Sequence, residues 1–342
     1  VKHIIGGNPV PPLPQVKTVF VEEDCAGQRL DNFLLRQLKG VPKTHVYRII
    51  RSGEVRVNKA RASADSRLGA GDAVRLPPLR ISPRVAEKTQ VMELRVASGA
   101  LSRDFPILFE DDYLLAMDKP AGVAVHGGSG VSFGVIEQLR MARPDAKFLE
   151  LVHRLDRDTS GILLIAKKRS ALKQLQDQFR QRETGKTYLA LVAGRWPANR
   201  KVLDKPLHKY LLPDGERRVK VVARDDPDGM SSITLVKVQQ RVATGAGTRE
   251  GFSLLEVTLK TGRTHQIRVH LASEGHPILG DDKYGDFDLN KTLLRSQQMP
   301  ALKRMFLHAW RLQFNHPASG ERIALLAPMP SDLEAFVTHA EL

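Results

Sequence analysis

The sequence has very little cysteine and few aromatic residues. Cys25 is the single cysteine among 342 residues, so no internal disulfide can close and no thiolate pair can hold a metal. That usage fits a reducing compartment such as the cytoplasm. Aromatic residues make up 6% of the chain, too few for an extended base-stacking platform. No apolar run approaches the roughly 20 residues needed to span a bilayer. Residues 1–15 are rich in Gly and Pro and lack the long apolar stretch of a secretory leader. No glycine-rich phosphate loop is present either, so a nucleotide cofactor has no recognisable cradle.

Acidic residues are also scarce. Asp and Glu number 38 against 53 Lys and Arg, a formal charge of +15. Such a balance favours a polyanionic partner, because counterions released from a phosphate backbone drive binding. Hydrophobic residues supply 42% of the chain, enough for a sizeable core. The length suits two domains better than one. The pattern divides into an extended arm over 1–16, a small basic unit over 17–80, a linker over 81–100 and a large unit over 101–342.

The small unit reads as two helices with short strands. Leu30, Phe33, Leu34 and Leu38 recur at helical spacing within Arg29–Leu38. A second helix opens at Pro42 and Thr44, runs to Arg51, and is stopped by Ser52-Gly53. Strands are expected at 17–22, 55–57 and 74–76. Arg29, Lys43, Arg48, Arg51, Arg56 and Lys59 fall here, with only Asp31 and Glu54 opposing the basic residues of 29–61. Arg48 and Arg51 sit three apart and share a face of the second helix. A solvated helix surface would look similar, but the concentration of charge in so small a unit favours a phosphate-binding face.

In the large unit, strands are expected at 107–109, 114–117, 161–166, 187–193, 233–238 and 254–259. Helices are expected at 134–140, 170–180 and 267–273. Strands outnumber helices and do not alternate with them. The fold class is therefore α+β, with a mostly antiparallel mixed sheet and flanking helices. The polar segment 284–298 reads as a long loop.

The segment most able to carry chemistry is His153-Arg154-Leu155-Asp156-Arg157-Asp158-Thr159-Ser160-Gly161, which leads into the apolar strand 162–166. A carboxylate in a loop just before a strand is exposed to substrate yet held by a rigid element. Arg154 and Arg157 beside Asp156 favour its ionised form, as a nucleophile or base requires. Asp, Thr, Ser and Gly are also turn formers, so an ordinary turn is the plain alternative. His153 with the two aspartates lacks a recognised metal spacing. A second cluster is Thr261-Gly262-Arg263-Thr264-His265-Gln266-Ile267-Arg268-Val269-His270. His265 and His270 lie five apart, which does not match helical metal ligation at four. No metal is expected, and structural ion pairing is the plain alternative for either arginine.

Taken together these motifs resemble the RluA family of pseudouridine synthases. His153–Gly161 is similar to that family's most specific signature. Glu110-Asp111 with Lys119-Pro120-Ala121-Gly122, Lys186-Thr187-Tyr188-Leu189-Ala190, Gly262–His270, Pro277–Asp281 and Leu307-His308-Ala309 resemble its other motifs in order. Gln28–Leu34 and Ser52–Lys59 resemble the small RNA-binding domain named after ribosomal protein S-four. His126–Gly130, Phe133–Ile136 and Phe148–Val152 are similar to a branch of the family that acts on large-subunit ribosomal RNA. Asp228-Gly229-Met230-Ser231-Ser232 departs from the pattern, since many members carry a lysine after that glycine.

The resemblance implies an isomerase that converts specific uridines of 23S ribosomal RNA to pseudouridine without a cofactor. It implies Asp156 as nucleophile, Arg268 as its partner, and Tyr188 stacked on the target uracil. Arg154 would fill the gap left by the flipped base. His153, Leu155, Thr159, Lys119, Arg263 and His265 are expected to bind substrate. The expected partner is large-subunit ribosomal RNA, free or in assembly intermediates, met by a monomer away from membranes. The competing expectation is a non-catalytic RNA-binding assembly factor.

Overall fold

The computed structural model describes residues 15–38, 41–78, 105–128, 133–242, 251–295 and 300–339, with scattered positions between 87 and 98. Residues 1–14 of the expected arm and most of the expected linker lie outside the described residues. The chain divides into two compact units. One comprises Val1–Ser98 with His126–Phe133 and Glu137–Pro144; the other comprises Gly99–Val125, Gly134–Ile136 and Asp145–Leu342.

In the first unit, helices α1 (Leu30–Gln37) and α2 (Lys43–Arg51) accompany strands β1 (Lys17–Phe20), β2 (Arg56–Val57) and β3 (Ala73–Leu76). The three strands form an antiparallel sheet in the order β1-β3-β2. Leu30, Phe33 and Leu34 of α1 and Val46, Ile49 and Ile50 of α2 are buried together. Each such side chain contributes about 1.5–3 kcal/mol on burial. Their spacing leaves Arg48 and Arg51 on the outside of α2. Arg29 donates two hydrogen bonds to Asp31, at 3.1 and 2.8 Å, and Tyr47 of α2 donates to the same carboxylate at 2.6 Å. Burial alone would raise the Asp31 carboxyl, but these donors hold it below its ordinary value. The Tyr47 phenol is pushed up to about 12 by burial and by Asp31.

The second unit is built on a ten-stranded sheet. Its strands include β4 (Ile107–Glu110), β5 (Leu114–Lys119), β6 (Glu150–Leu151), β7 (Ser160–Ala166), β8 (Gly185–Ala193) and β9 (Val202–Asp204). The others are β12 (Ile233–Val242), β13 (Phe252–Leu259), β14 (Leu307–Asn315) and β15 (Arg322–Leu326). The path runs β4-β5-β7-β14-β8-β13-β12-β9, with β15 beside β14 and β6 beside β7. Among these pairings only β7 with β14 is parallel, so the sheet is mixed and mostly antiparallel as expected. A separate hairpin joins β10 (Leu207–Leu211) to β11 (Arg217–Val221). The helices are α3 (Val135–Ala142), whose residues from 137 onward belong to the first unit, α4 (Arg169–Gln181), α5 (Gln266–Ser273), α6 (Phe287–Arg295) and α7 (Ser331–His339).

One expectation fails here. The polar pattern of 284–298 predicts a loop, yet α6 occupies Phe287–Arg295. Its apolar stripe is too narrow to signal from the pattern, because Leu293 is its one buried residue. Asn290 of α6 accepts the Gly280 backbone N–H at 2.7 Å and donates to the Asp281 carbonyl at 3.0 Å. The helix therefore clamps the loop that carries Asp281.

Candidate active site

Asp156 sits in the loop between β6 and β7, closed by a bond from the Thr159 backbone N–H to the Asp156 carbonyl at 3.3 Å. The loop is anchored where β7 begins. Gly161 has φ 109°, and a Cβ there would lie 2.3 Å from the Ala309 carbonyl of β14. Only glycine allows that approach. Beside it, Arg304 donates to the Ser160 hydroxyl at 2.9 Å, and Ser160 lies 2.9 Å from His308 Nδ1. His308 Nε2 lies 3.2 Å from the Ala327 carbonyl, so that nitrogen carries the proton and the Ser160 hydroxyl donates to Nδ1. Burial pulls the His308 imidazole down to about 4.

Arg268 comes from the first turn of α5. Its side chain is 4% exposed. It donates to both oxygens of Asp281, at 2.7 and 2.6 Å, to Asp156 Oδ2 at 3.2 Å, and to Asp282 at 3.3 Å. Burial works against the charge, yet Asp281 and Asp156 raise the guanidinium above its ordinary value. Asp281 is buried too, which alone would raise its carboxyl, and Arg268 holds it below its ordinary value. Its Oδ1 also accepts the backbone N–H groups of Lys283 and Tyr284 at 2.8 and 3.0 Å. The bidentate pair fixes the plane of the guanidinium and aims its remaining edge at Asp156. Gly280, at φ 75°, lets this loop pass where a Cβ would lie 2.2 Å from the Arg304 carbonyl.

The turn before α5 is held by Gln266. This buried amide accepts from the Thr261 hydroxyl at 2.8 Å and from the Arg263 N–H at 3.0 Å. It donates to the Ile233 carbonyl and to Thr234 Oγ1, each at 3.0 Å. With its polar atoms satisfied it makes a rigid support. His265 projects from the same turn, with Nε2 3.8 Å from Asp156 Oδ1. His270 points elsewhere, to Thr234 at 2.9 Å and the Lys205 carbonyl at 3.0 Å.

A pocket of about 470 Å³ gathers His153, Arg154, Leu155, Asp156, Thr159, Tyr188, Arg263, His265 and Arg268 from the expected set. Arg180, Arg182 and Lys186 add further positive charge to its lining. Tyr188 stands on β8; burial first, and then the Asp156 carboxylate, push its phenol up. Arg154 is exposed at the pocket. His153 is engaged from behind: its Nε2 accepts the Leu164 N–H at 3.1 Å and its ring stacks on Phe179 at 4.8 Å. Burial pulls that imidazole down to about 4.

Lys119 lies apart from the pocket lining. It is fully buried, and its ammonium donates to the carbonyls of Pro120, Val123 and Arg157 at 2.8, 2.9 and 3.0 Å. Burial pulls it down to about 7, against Asp158 and Asp156 nearby. Through Arg157 it braces the Asp156 loop from beneath. Arg29, Lys43, Arg48, Arg51, Arg56 and Lys59 belong to the other unit. There Arg29 is paired with Asp31, Lys43 lies over the Tyr47 ring at 5.7 Å, and Arg48 reaches Glu54 at 3.5 Å.

Two residues at the site received no role from the sequence: Asp281, which closes the Pro277–Asp281 motif, and Tyr284. The available signal was an acid flanked by Leu279-Gly280, because a buried arginine demands a buried carboxylate. Among the described residues, one group of metal-ligating type occurs, His208 with Asp226 and Asp228, away from the pocket. Asp226 there accepts the Asp228 backbone N–H at 2.9 Å, the bond of an ordinary Asx turn.

Comparison with known proteins bears on this geometry. A family profile described as RNA pseudouridylate synthase matches residues 113–273, and the S4 domain profile matches residues 28–74. The chain is 50% identical over 321 residues to ribosomal large subunit pseudouridine synthase C of Salmonella typhimurium, covering 94% of this chain and 95% of the relative. The protein of the same name from Escherichia coli strain K12 matches with the same identity and coverage. Among solved structures, human RNA pseudouridylate synthase domain containing 4 aligns with TM-score 0.55 and 27% identity over 73% of this chain and 97% of that one. Human RNA pseudouridylate synthase domain containing 1 aligns with TM-score 0.54 and 26% identity over 66% of this chain and 84% of that one. With the signature loop, the buried arginine and the tyrosine strand converging on one pocket, and with half of the sequence shared end to end, the chain belongs to the RluA family of pseudouridine synthases.

Proposed function

We propose that this protein converts specific uridines of large-subunit ribosomal RNA to pseudouridine, with Asp156 as the nucleophile. The observation that carries the reading is the Asp156 carboxylate, open to a basic pocket and held by the buried Arg268 at 3.2 Å. The reaction breaks the N1–C1′ bond and forms a C5–C1′ bond. The ring loses a proton at C5 and gains one at N1, so no redox partner or added group is consumed.

A uridine within folded RNA must first leave its stack, at roughly a few kcal/mol. The exposed Arg154 fills the space it leaves, since a planar guanidinium both stacks and donates hydrogen bonds. Tyr188 takes the face of the flipped uracil, and Arg263 and His265 donate to its oxygens. Lys119 and His153 act from behind the pocket by bracing the loop that carries Asp156. The unit at 17–80 grips neighbouring RNA through Arg48, Arg51, Arg56 and Lys59, while 101–342 performs the chemistry. The protein works as a monomer in the cytoplasm, on free RNA or on assembling subunits. A site complete within one chain supports the monomer.

The test is a pseudouridine map of ribosomal RNA from cells lacking the protein, complemented with wild type or Asp156→Asn. Defined large-subunit sites should vanish and return with wild type alone. Restoration by Asp156→Asn would overturn the assignment, and an unchanged map would remove ribosomal RNA as substrate.

A further inference from the structure

His265 has two faces, one toward the pocket and one toward Tyr284. The residue lies just before α5 at φ 52° and ψ 21°, a left-handed conformation that is uncommon outside glycine and that histidine tolerates better than most. Its Nε2 lines the pocket side, 3.8 Å from Asp156 Oδ1. Its Nδ1 faces away, 2.8 Å from the Tyr284 hydroxyl, and the two rings meet edge-on at 5.5 Å.

Tyr284 is itself fixed. Its oxygen accepts the Val219 backbone N–H at 3.0 Å, and its ring lies 5.2 Å from the Arg268 guanidinium. A phenol has one proton to donate. Val219 N–H is a donor and cannot take it. Among the described residues, the acceptor within reach is His265 Nδ1. An imidazole that accepts at Nδ1 and is neutral keeps its proton at Nε2. Neutrality follows from the surroundings. Burial, together with the Arg268 and Lys283 cations, holds the ring below its ordinary range against Asp156 and Asp281.

The consequence is a directed N–H beside the reacting carboxylate. The opposite tautomer would turn a lone pair toward Asp156, which is electrostatically unfavourable. At 3.8 Å the pair is too long for a direct hydrogen bond, so the Nε2–H is not spent on Asp156 and can meet a substrate oxygen beside the carboxylate. Negative charge develops on the uracil oxygens as the N1–C1′ bond opens, and a neutral donor in a partly dry site stabilises it without moving a proton.

We propose that Tyr284 is a positioning residue for the isomerisation: it fixes His265 as the Nε2–H tautomer, and that N–H donates to the flipped nucleotide beside Asp156. The proposal rests on the reading of the chain as a uridine isomerase.

The experiment combines nitrogen-15 spectra of histidine side chains with single-turnover kinetics on a ribosomal RNA fragment. The His265 signal, identified by its loss in His265→Gln, should report Nδ1 unprotonated and Nε2 protonated in the wild type. Tyr284→Phe should abolish that bias and slow the chemical step about tenfold or more, with RNA affinity within twofold. His265→Gln places an amide N–H where Nε2–H stands and should retain more turnover than His265→Leu. A wild-type Nδ1–H signal would overturn the proposal whatever Tyr284→Phe does to folding. Equal rates for His265→Gln, His265→Leu and wild type would overturn it too. Wild-type protein that forms no pseudouridine would instead strike the underlying reading, and the spectra would still decide the tautomer.

Discussion

The two units use positive charge in opposite ways. In α2 the Arg48 side chain is 54% exposed, with His45 Nε2 at 3.1 Å and Glu54 at 3.5 Å, and Arg51 is open to solvent and reaches the Tyr47 carbonyl at 3.4 Å. In the pocket, Arg268 is buried and held by Asp281, Asp156 and Asp282. An exposed cation is mobile, screened by salt and suited to a phosphate backbone of variable path. A buried cation cannot tolerate missing partners, so its geometry is set to within a narrow range. The first arrangement suits affinity and the second suits orientation. Three experiments probe that contrast.

The largest effect is expected from Asp281→Asn. It removes the charge that fixes Arg268 and leaves a buried guanidinium short of a partner. Breaking such a pair destabilises a fold by about 3–5 kcal/mol. Urea unfolding should show that loss, and turnover should fall by at least a hundredfold because Arg268 no longer aims at Asp156. A stable and fully active variant would mean that Asp156 and Asp282 suffice to hold the arginine.

A middle effect concerns acid. His308 has a folded-state value of about 4 against an ordinary value near 6.5, because burial disfavours its charged form. As pH falls, the unfolded chain takes up this proton first. The stabilisation is therefore complete above about 6.5 and fades as pH falls toward 4, by about 3 kcal/mol for this residue alone. His153, also held near 4, adds in the same direction. Urea midpoints measured from pH 7 down to pH 4.5 should fall, and His308→Gln should flatten the profile. A wild-type profile flat over that window would contradict buried, neutral imidazoles.

The smallest effect on the fold, and a distinct one on binding, is expected from Arg48→Ala with Arg51→Ala. Stability should change by less than about 1 kcal/mol, as for exposed charges generally. RNA affinity should fall, and the slope of log affinity against log salt should become shallower by about 1.5. An unchanged slope would mean that this face of α2 does not meet phosphate.

Local pattern carried much of this site. The loop around Asp156 is one short segment, and the turn holding Arg263, His265 and Arg268 is another, so both were legible along the sequence. What joins them was not. Arg268 meets Asp281 thirteen positions on, and Ser160 meets His308 across 148 positions. No periodicity encodes such pairings. Lys119 differs again: its motif implied a substrate contact, and three carbonyls hold its ammonium inside. The helix α6 was lost because Asp288 and Lys291 dominate a segment that buries little. The β10–β11 hairpin was lost because β10 carries its exposed Tyr210 and Leu211 side by side, which breaks the alternation of a half-buried strand.

The parallel contact at Gly161 has a consequence for when the enzyme can begin to work. Asp156 is synthesised well before Arg304, His308 and Ala309, which hold the base of its loop. A ribosome adds about 5–20 residues each second. The 148 positions between Ser160 and His308 thus correspond to a delay of roughly 7–30 s. During that interval the signature loop exists as sequence but lacks its supporting strand. A nascent chain therefore carries Asp156 on a loop that still lacks its support, and that support is complete only after β14 has emerged.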